Sequence, residues 1–263
     1  MRKIWVIIRK EWAEVFKNRF VLFTVAFLPL IFTALPLLLL GSIGSIAGTE
    51  GLTSTDMPAD FANLCPGISE AECGEYYLVS QFMLMFMMLP LAIPVTFASY
   101  SIVGEKTTRT LEPVLATPIS TLELLLGKAV AAMIPAIAAT WLSFGLFVIG
   151  TVFLASGPGV VARILDPEWL LAILVVGPLL AAAAVSVAVI VSSRANDPRV
   201  AEQLSMLVIL PLLGLFFGQV AGLFYINQQL VLYIALGLVV IDAVLLFFAT
   251  HLFERETILT RWK

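Results

Sequence analysis

Six long apolar stretches alternate with short polar ones along the chain. Their spacing predicts an all-α, polytopic membrane protein with six transmembrane helices over 20–46, 76–103, 121–155, 169–191, 204–224 and 230–251. Each reaches the roughly 20 residues that a bilayer crossing requires. The residues before them are patterned differently. At 100° per residue, Ile4, Trp5, Ile8, Trp12, Val15 and Phe16 share one arc of 1–19, while Lys3, Arg9, Lys10, Glu11, Glu14 and Lys17 share the other. Tryptophans opposite basic residues predict a helix lying in the membrane interface. The competing signal-peptide reading fits less well, because the apolar run that follows far exceeds the roughly 7–15 residues of such a leader.

Local signals sharpen the boundaries. Ser120-Thr121-Leu122-Glu123 is a capping box, so a helix begins near Thr121 and runs to about Ala155, longer than one crossing. Its first turns, with Glu123 and Lys128, are expected to project into the headgroups or the cytosol, and Pro135 to kink it. Asp197 before Pro198 marks another helix start. Pro29, Pro36, Pro90, Pro94 and Pro211 imply bends that neighbouring helices repair. Met83, Met85, Met87 and Met88 read as adaptable packing, Ala181–Ala184 as a close helix contact, and Trp169 as an interface anchor.

Composition agrees: hydrophobic residues make up 60% of the chain and charged residues 13%, against about 25% charged in soluble domains. The net charge of −3 conceals a segregation. Of the fifteen Lys and Arg residues, all but Arg163 fall on one side of the six-span arrangement, which predicts that both termini and the 104–120 loop are cytosolic. The 47–75 loop has no Lys or Arg and lies outside the cytosol. Its Cys65 and Cys73 are either a disulfide or two free thiols, and an exported loop favours the disulfide.

Little in the chain suggests catalysis. No HExxH, paired CxxC, GxSxG or P-loop pattern occurs, and one His with two Cys makes no rich metal site. No enzyme activity, no metal and no nucleic-acid partner is therefore expected of this chain. Two intramembrane polar residues stand out as a possible substrate or ion path. Asp242 in the last span costs roughly 2.5–3.5 kcal/mol on insertion scales, so it is either an ion site or a carboxyl held by a hydrogen bond or a proton. Gln219 fits an interhelical hydrogen bond. Interfacial placement suits His251. An ion-coupled secondary transporter using Asp242 remains the alternative function.

The 104–120 loop is more than a polar connector. Glu105, Glu112 and Glu123 recur beside Lys106, Arg109 and Lys128, with Leu111, Val114 and Leu115 between them. Mixed charge with an apolar stripe suits a short helix docked in a protein groove or laid along headgroups. The segment Gly104-Glu105-Lys106, Thr110-Leu111-Glu112, Leu115, Thr117-Pro118, Glu123 and Gly127-Lys128 resembles the cytosolic loop of ABC-2 type transporter permeases. The opening IWVIIRKEWAEVFKNR, the later SSRANDPRVAEQLSMLVILPLL and the tail FERETILTRWK resemble the same family, so the likeness covers almost the whole chain as a single transmembrane domain, 1–263. It implies an exporter permease in the cytoplasmic membrane, paired with a second permease subunit, alike or related. Separate P-loop ATPase subunits would bind ATP and Mg, and this chain would bind no cofactor. It also implies that Gly104, Glu105, Lys106, Arg109, Thr110, Leu111, Glu112, Leu115, Thr117 and Pro118 couple to the ATPase. The short Tyr225–Gln229 turn departs from some lipid-handling relatives, whose outer re-entrant elements it cannot hold.

Overall fold

The computed structural model describes residues 2–46, 61, 65–108 and 120–252, and among them every regular element is helical. Helix α1 (Arg2–Val15) precedes α2 (Arg19–Ile46). Helices α3 (Glu70–Phe86) and α4 (Leu89–Thr107) form one crossing, interrupted by a turn at Met87 and Met88. Helix α5 (Thr121–Leu154) is followed by the short α6 (Pro158–Ile164) and α7 (Pro167–Leu171). A π-helical turn, Ala172–Val176, leads into α8 (Gly177–Arg194). Helix α9 (Pro198–Ser205) joins α10 (Leu210–Val220) through a 3₁₀ turn, Met206–Ile209, and α11 (Gln228–Leu252) ends the described chain. Six helical stretches are long and apolar enough to cross a membrane, as the hydropathy pattern predicts.

Several starts follow the local chemistry. The Ser120–Glu123 capping box opens α5 as read from sequence, with Ser120 Oγ accepting from Glu123 N at 3.2 Å and Glu123 Oε2 accepting from Ser120 N at 2.9 Å. Asp197 Oδ1 caps α9 by accepting from Arg199 N at 2.7 Å. The second crossing begins at Glu70 rather than Tyr76, because Ser69 and Glu72 form another capping box there. The fifth begins at Pro198 rather than Leu204, since the capped α9 leads straight into the apolar run. Helix α10 closes in a Schellman arrangement. Gly222 takes φ +69°, Leu223 N donates to Gly218 O and Gly222 N to Gln219 O, both at 2.9 Å.

The α3–α4 crossing is the hub. Of its most apolar window 72% is buried inside the protein, against 17% for α11. Helix α4 packs on α8 and α5, α5 on α2 and α1, and α8 on α11. Phe86, Leu89, Ile93 and Phe97 fill the centre with no exposure to speak of. The chain has two polar poles: α1 and the ends of α4 and α8 mark one, the Cys65–Cys73 loop and α6 the other.

Two tryptophans serve this packing in a way that the hydropathy pattern did not anticipate. Pro135 has no N–H to give the carbonyl of Ala131 one turn back, and Trp12 Nε1 of α1 donates to that oxygen at 2.8 Å. Pro178 likewise has no N–H to give Ile173 O in the π turn, and Trp141 Nε1 donates there at 3.2 Å. Each proline frees an acceptor, and an indole from a neighbouring helix takes it. Trp169 is not the interface anchor expected of it. It is 2% exposed in the core, with Nε1 donating to Tyr76 Oη at 3.2 Å.

Candidate functional site

The first helix does not use its two arcs as the pattern suggests. Ile7, Ile8, Glu11 and Val15 form the buried face against α5, and Glu11 is only 2% exposed although it belongs to the polar arc. Close approach is possible because of Gly127. A Cβ there would lie 2.8 Å from Ile7 Cγ2 and 3.0 Å from Ile7 Cβ. With Ile7 seated on Gly127, Glu11 comes level with the next residue of α5, Lys128.

A cluster of buried charges results. Lys128 Nζ is 2.8 Å from Glu11 Oε1 and 2.9 Å from Glu105 Oε2, and it donates to Ser101 Oγ at 2.7 Å. Ser101 donates in turn to Glu11 Oε2. Lys10 reaches Glu105 from the rim and pairs with Glu14 at 3.1 Å. Lys128, expected among headgroups or in the cytosol, is 5% exposed and lies inside the protein. Lys128 and Lys10 together offset the buried Glu11 and Glu105, with Glu14 outside at the exposed rim, so the buried charges are tolerated as a unit while none is alone. Burial alone pushes the Glu11 carboxyl up, but the Lys128 charge and the hydrogen bonds from Lys128 and Ser101 hold it below the ordinary carboxylate range. Burial pushes Lys10 down, yet its bond to Glu105 and the charges of Glu11 and Glu105 carry it well above its ordinary value.

The residue after Glu105 ties α4 to another neighbour. Lys106 Nζ donates to Ala195 O at 3.0 Å and Ser193 O at 3.4 Å, the carbonyls at the end of α8, where a cation is favoured. Higher on α4, Thr96 meets the Glu202 carboxylate of α9 at 2.6 Å. Adjacent residues of the Gly104-Glu105-Lys106 triplet thus point to different partners, Glu105 to α1 and α5 and Lys106 to α8. Glu123, also in the family-like segment, caps α5. Arg109, Thr110, Leu111, Glu112, Leu115, Thr117 and Pro118 lie outside the described residues.

The remaining candidates stay apart. Gln219 is buried near the end of α10 and donates from Nε2 to Ser80 O at 3.2 Å. Asp242 lies about four turns into α11, 6% exposed, and neither carboxylate oxygen has a hydrogen-bond partner among the described residues. An interhelical hydrogen bond therefore describes Gln219 and does not describe Asp242. Cys65 and Cys73 are joined as a disulfide with Cα atoms 5.7 Å apart. His251 is exposed, its ring stacked on Phe247. Sequence reasoning did not single out Lys10, Glu11 and Ser101 as site residues. The signal was present: Glu11 has Ile7, Ile8 and Val15 as its helical neighbours, and Lys128 is embedded in LELLLGKAVAA.

Six apolar crossings, one of them the buried α3–α4 hub, with charged side chains joining three helices at one pole, define a multi-pass membrane protein. A family model described as ABC-2 family transporter protein matches residues 5–256, and the chain belongs to that family. It is accordingly a membrane permease of the ATP-binding cassette transporters, a transport subunit and not itself the ATPase. No curated protein matches the chain.

Proposed function

We propose that the chain is the permease half of an ATP-driven exporter, seated in the cytoplasmic membrane with both termini cytosolic and paired with a second permease subunit. A separate P-loop ATPase docks on the 104–120 loop and carries ATP and Mg. The supporting observation is the cluster of Lys128 with Glu11 and Glu105. Both ends of the loop are rooted in it, through Glu105 on α4 and Lys128 on α5. Force applied to the loop therefore reaches α1, α4 and α5 together, and α8 through Lys106. The residues at 109–118 present the docking surface, while Glu105 and Lys106 hold its base.

Copurification from native membranes tests the reading. The tagged chain should bring down a protein carrying G-x4-GK[ST], and a Leu111→Asp, Leu115→Asp pair should abolish the capture while the folded permease persists. Lys128→Met should retain capture yet lose any ATP-driven change in the accessibility of a single cysteine placed in the α10–α11 turn of a chain freed of Cys65 and Cys73. Capture unaffected by the loop pair would overturn the docking assignment. The ion-coupled alternative has one observation behind it, the buried and unpartnered Asp242. Ion-driven transport in proteoliposomes lacking ATP and ATPase, abolished by Asp242→Asn, would establish it instead.

A further inference from the structure

Two neighbouring cavities share Trp169 and Ile226 in their walls. The larger, about 380 Å³, lies between α3, α4, α8, α10 and α11 and is walled almost wholly by aliphatic side chains, Leu91, Leu212 and Ile234 among them. Its size falls within the roughly 300–1,000 Å³ of small-molecule sites. The smaller, about 110 Å³, sits at the disulfide pole and is polar and aromatic, with Gln219, Glu168, Tyr76 and Tyr225 on its wall.

The polar chamber holds an unmet acceptor. Ser80 O can only accept, so the Gln219 amide must turn Nε2 toward it, and Oε1 has no hydrogen-bond partner among the described residues on a side chain that is 2% exposed. Such an orphaned carbonyl in low dielectric costs about 1–3 kcal/mol unless a donor arrives. The charges nearby favour a cationic donor. Arg163 is engaged with Asp166 at 3.3 Å and Pro66 O at 3.0 Å, while Glu168 meets only the Tyr76 hydroxyl, at 3.4 Å, among the hydrogen bonds described for it. Aromatic rings around a small polar space suit an ammonium, and Asp166 and Glu168 on its wall outnumber the one cation there, Arg163.

We propose that this composite cavity binds a single-tailed amphiphile with a primary ammonium head. The tail occupies the aliphatic chamber, and the head donates to Gln219 Oε1 and Glu168 beside the ring of Trp169. The site lies within one chain and goes beyond the ATP-driven role. Its occupancy is read without ATP or ATPase, so either proposal can fail while the other stands.

Equilibrium dialysis of radiolabelled dodecylamine and dodecanoate, each against phosphatidylcholine nanodiscs with and without the full chain, tests it. Above the uptake of empty discs, dodecylamine should bind saturably at one per chain and at least tenfold more tightly than dodecanoate. Gln219→Leu should weaken the amine at least tenfold, Gln219→Glu should match or exceed the native chain, and Val187→Phe, which pushes a ring into the aliphatic chamber, should weaken both ligands at least tenfold. Absence of a saturable component overturns the proposal. So does equal binding of amine and carboxylate, or native binding by both Gln219→Leu and Val187→Phe. Should Gln219→Leu fail to fold, Gln219→Glu and Val187→Phe decide: a chain that loses the amine with Glu or keeps it with Phe sinks the assignment.

Discussion

The two poles of the molecule hold their helices by opposite means. At the α1 pole, long charged side chains meet one another: Lys128 bridges Glu11 and Glu105, and Lys10 reaches Glu105 and Glu14. At the disulfide pole, carboxylates meet backbone. Glu72 Oε1 accepts from Gly159 N at 2.9 Å and Glu75 Oε2 from Ser156 N at 3.0 Å, while the Cys65–Cys73 bond and Arg163 tie down the loop. Gly157 and Gly159 make that approach possible, because a Cβ on either would fall within 2.8 Å of Glu72 Oε1. The difference separates two tasks. The disulfide pole staples short connections in place. The α1 pole joins α1, α4 and α5 through one cluster of paired charges.

The largest expected effect breaks the α1 pole alone. Lys128→Met leaves Glu11 and Glu105 buried without their shared cation and should cost about 3–5 kcal/mol in thermal or denaturant unfolding. Adding Glu11→Gln and Glu105→Gln should recover much of that loss, because the cost belongs to the unpaired charges. If the triple variant is no more stable than Lys128→Met, the cluster is not one unit. Opening the disulfide with a Cys65→Ser, Cys73→Ser pair should cost about 2–3 kcal/mol for so short a loop and leave the α1 pole intact. Hydrogen exchange should show it: faster exchange confined to 65–75 supports separate poles, while acceleration in α1 as well would merge them. Trp12→Phe deletes the donor to Ala131 O and should cost about 1–3 kcal/mol, loosening α1 on α5 without touching any charge.

The smallest effect is a pH dependence carried by Glu11. Its folded carboxyl titrates below its ordinary 4.5, so the stabilisation is whole above pH 4.5 and drains away as pH falls through the lower folded value. Lys10 is raised from 10.5, so its share is complete below that pH and fades only in stronger alkali. Unfolding of the native chain should thus steepen in acid, and Glu11→Gln should flatten that limb. An unchanged acid limb would place the titration elsewhere.

The particular elements show how far reading the chain could reach. The Ser120 capping box and the Asp197 cap were legible because their partners sit three residues or fewer away. Crossings were legible because hydropathy is a local property of the chain, although the hub status of α3–α4 was not. The segment resembling ABC-2 permeases was correctly placed in its family, while the different contacts of the adjacent Glu105 and Lys106 emerged only from their neighbours. The sequence puts Glu11 on the polar arc of α1, and its burial was not legible because a helical wheel shows which residues share a face and not what that face will meet.

By itself, then, the sequence determined that this is a six-span helical permease of the ABC-2 family, since length, apolarity and motif order need no partner to be read. Only the tertiary structure decided that α1 seats on Gly127, that Trp12 and Trp141 take the acceptors opposite two prolines, and that Glu11, Glu105 and Lys128 form one cluster. Those meetings join groups tens of residues apart, and packing of the helices, rather than local propensity, brings them within reach of a hydrogen bond.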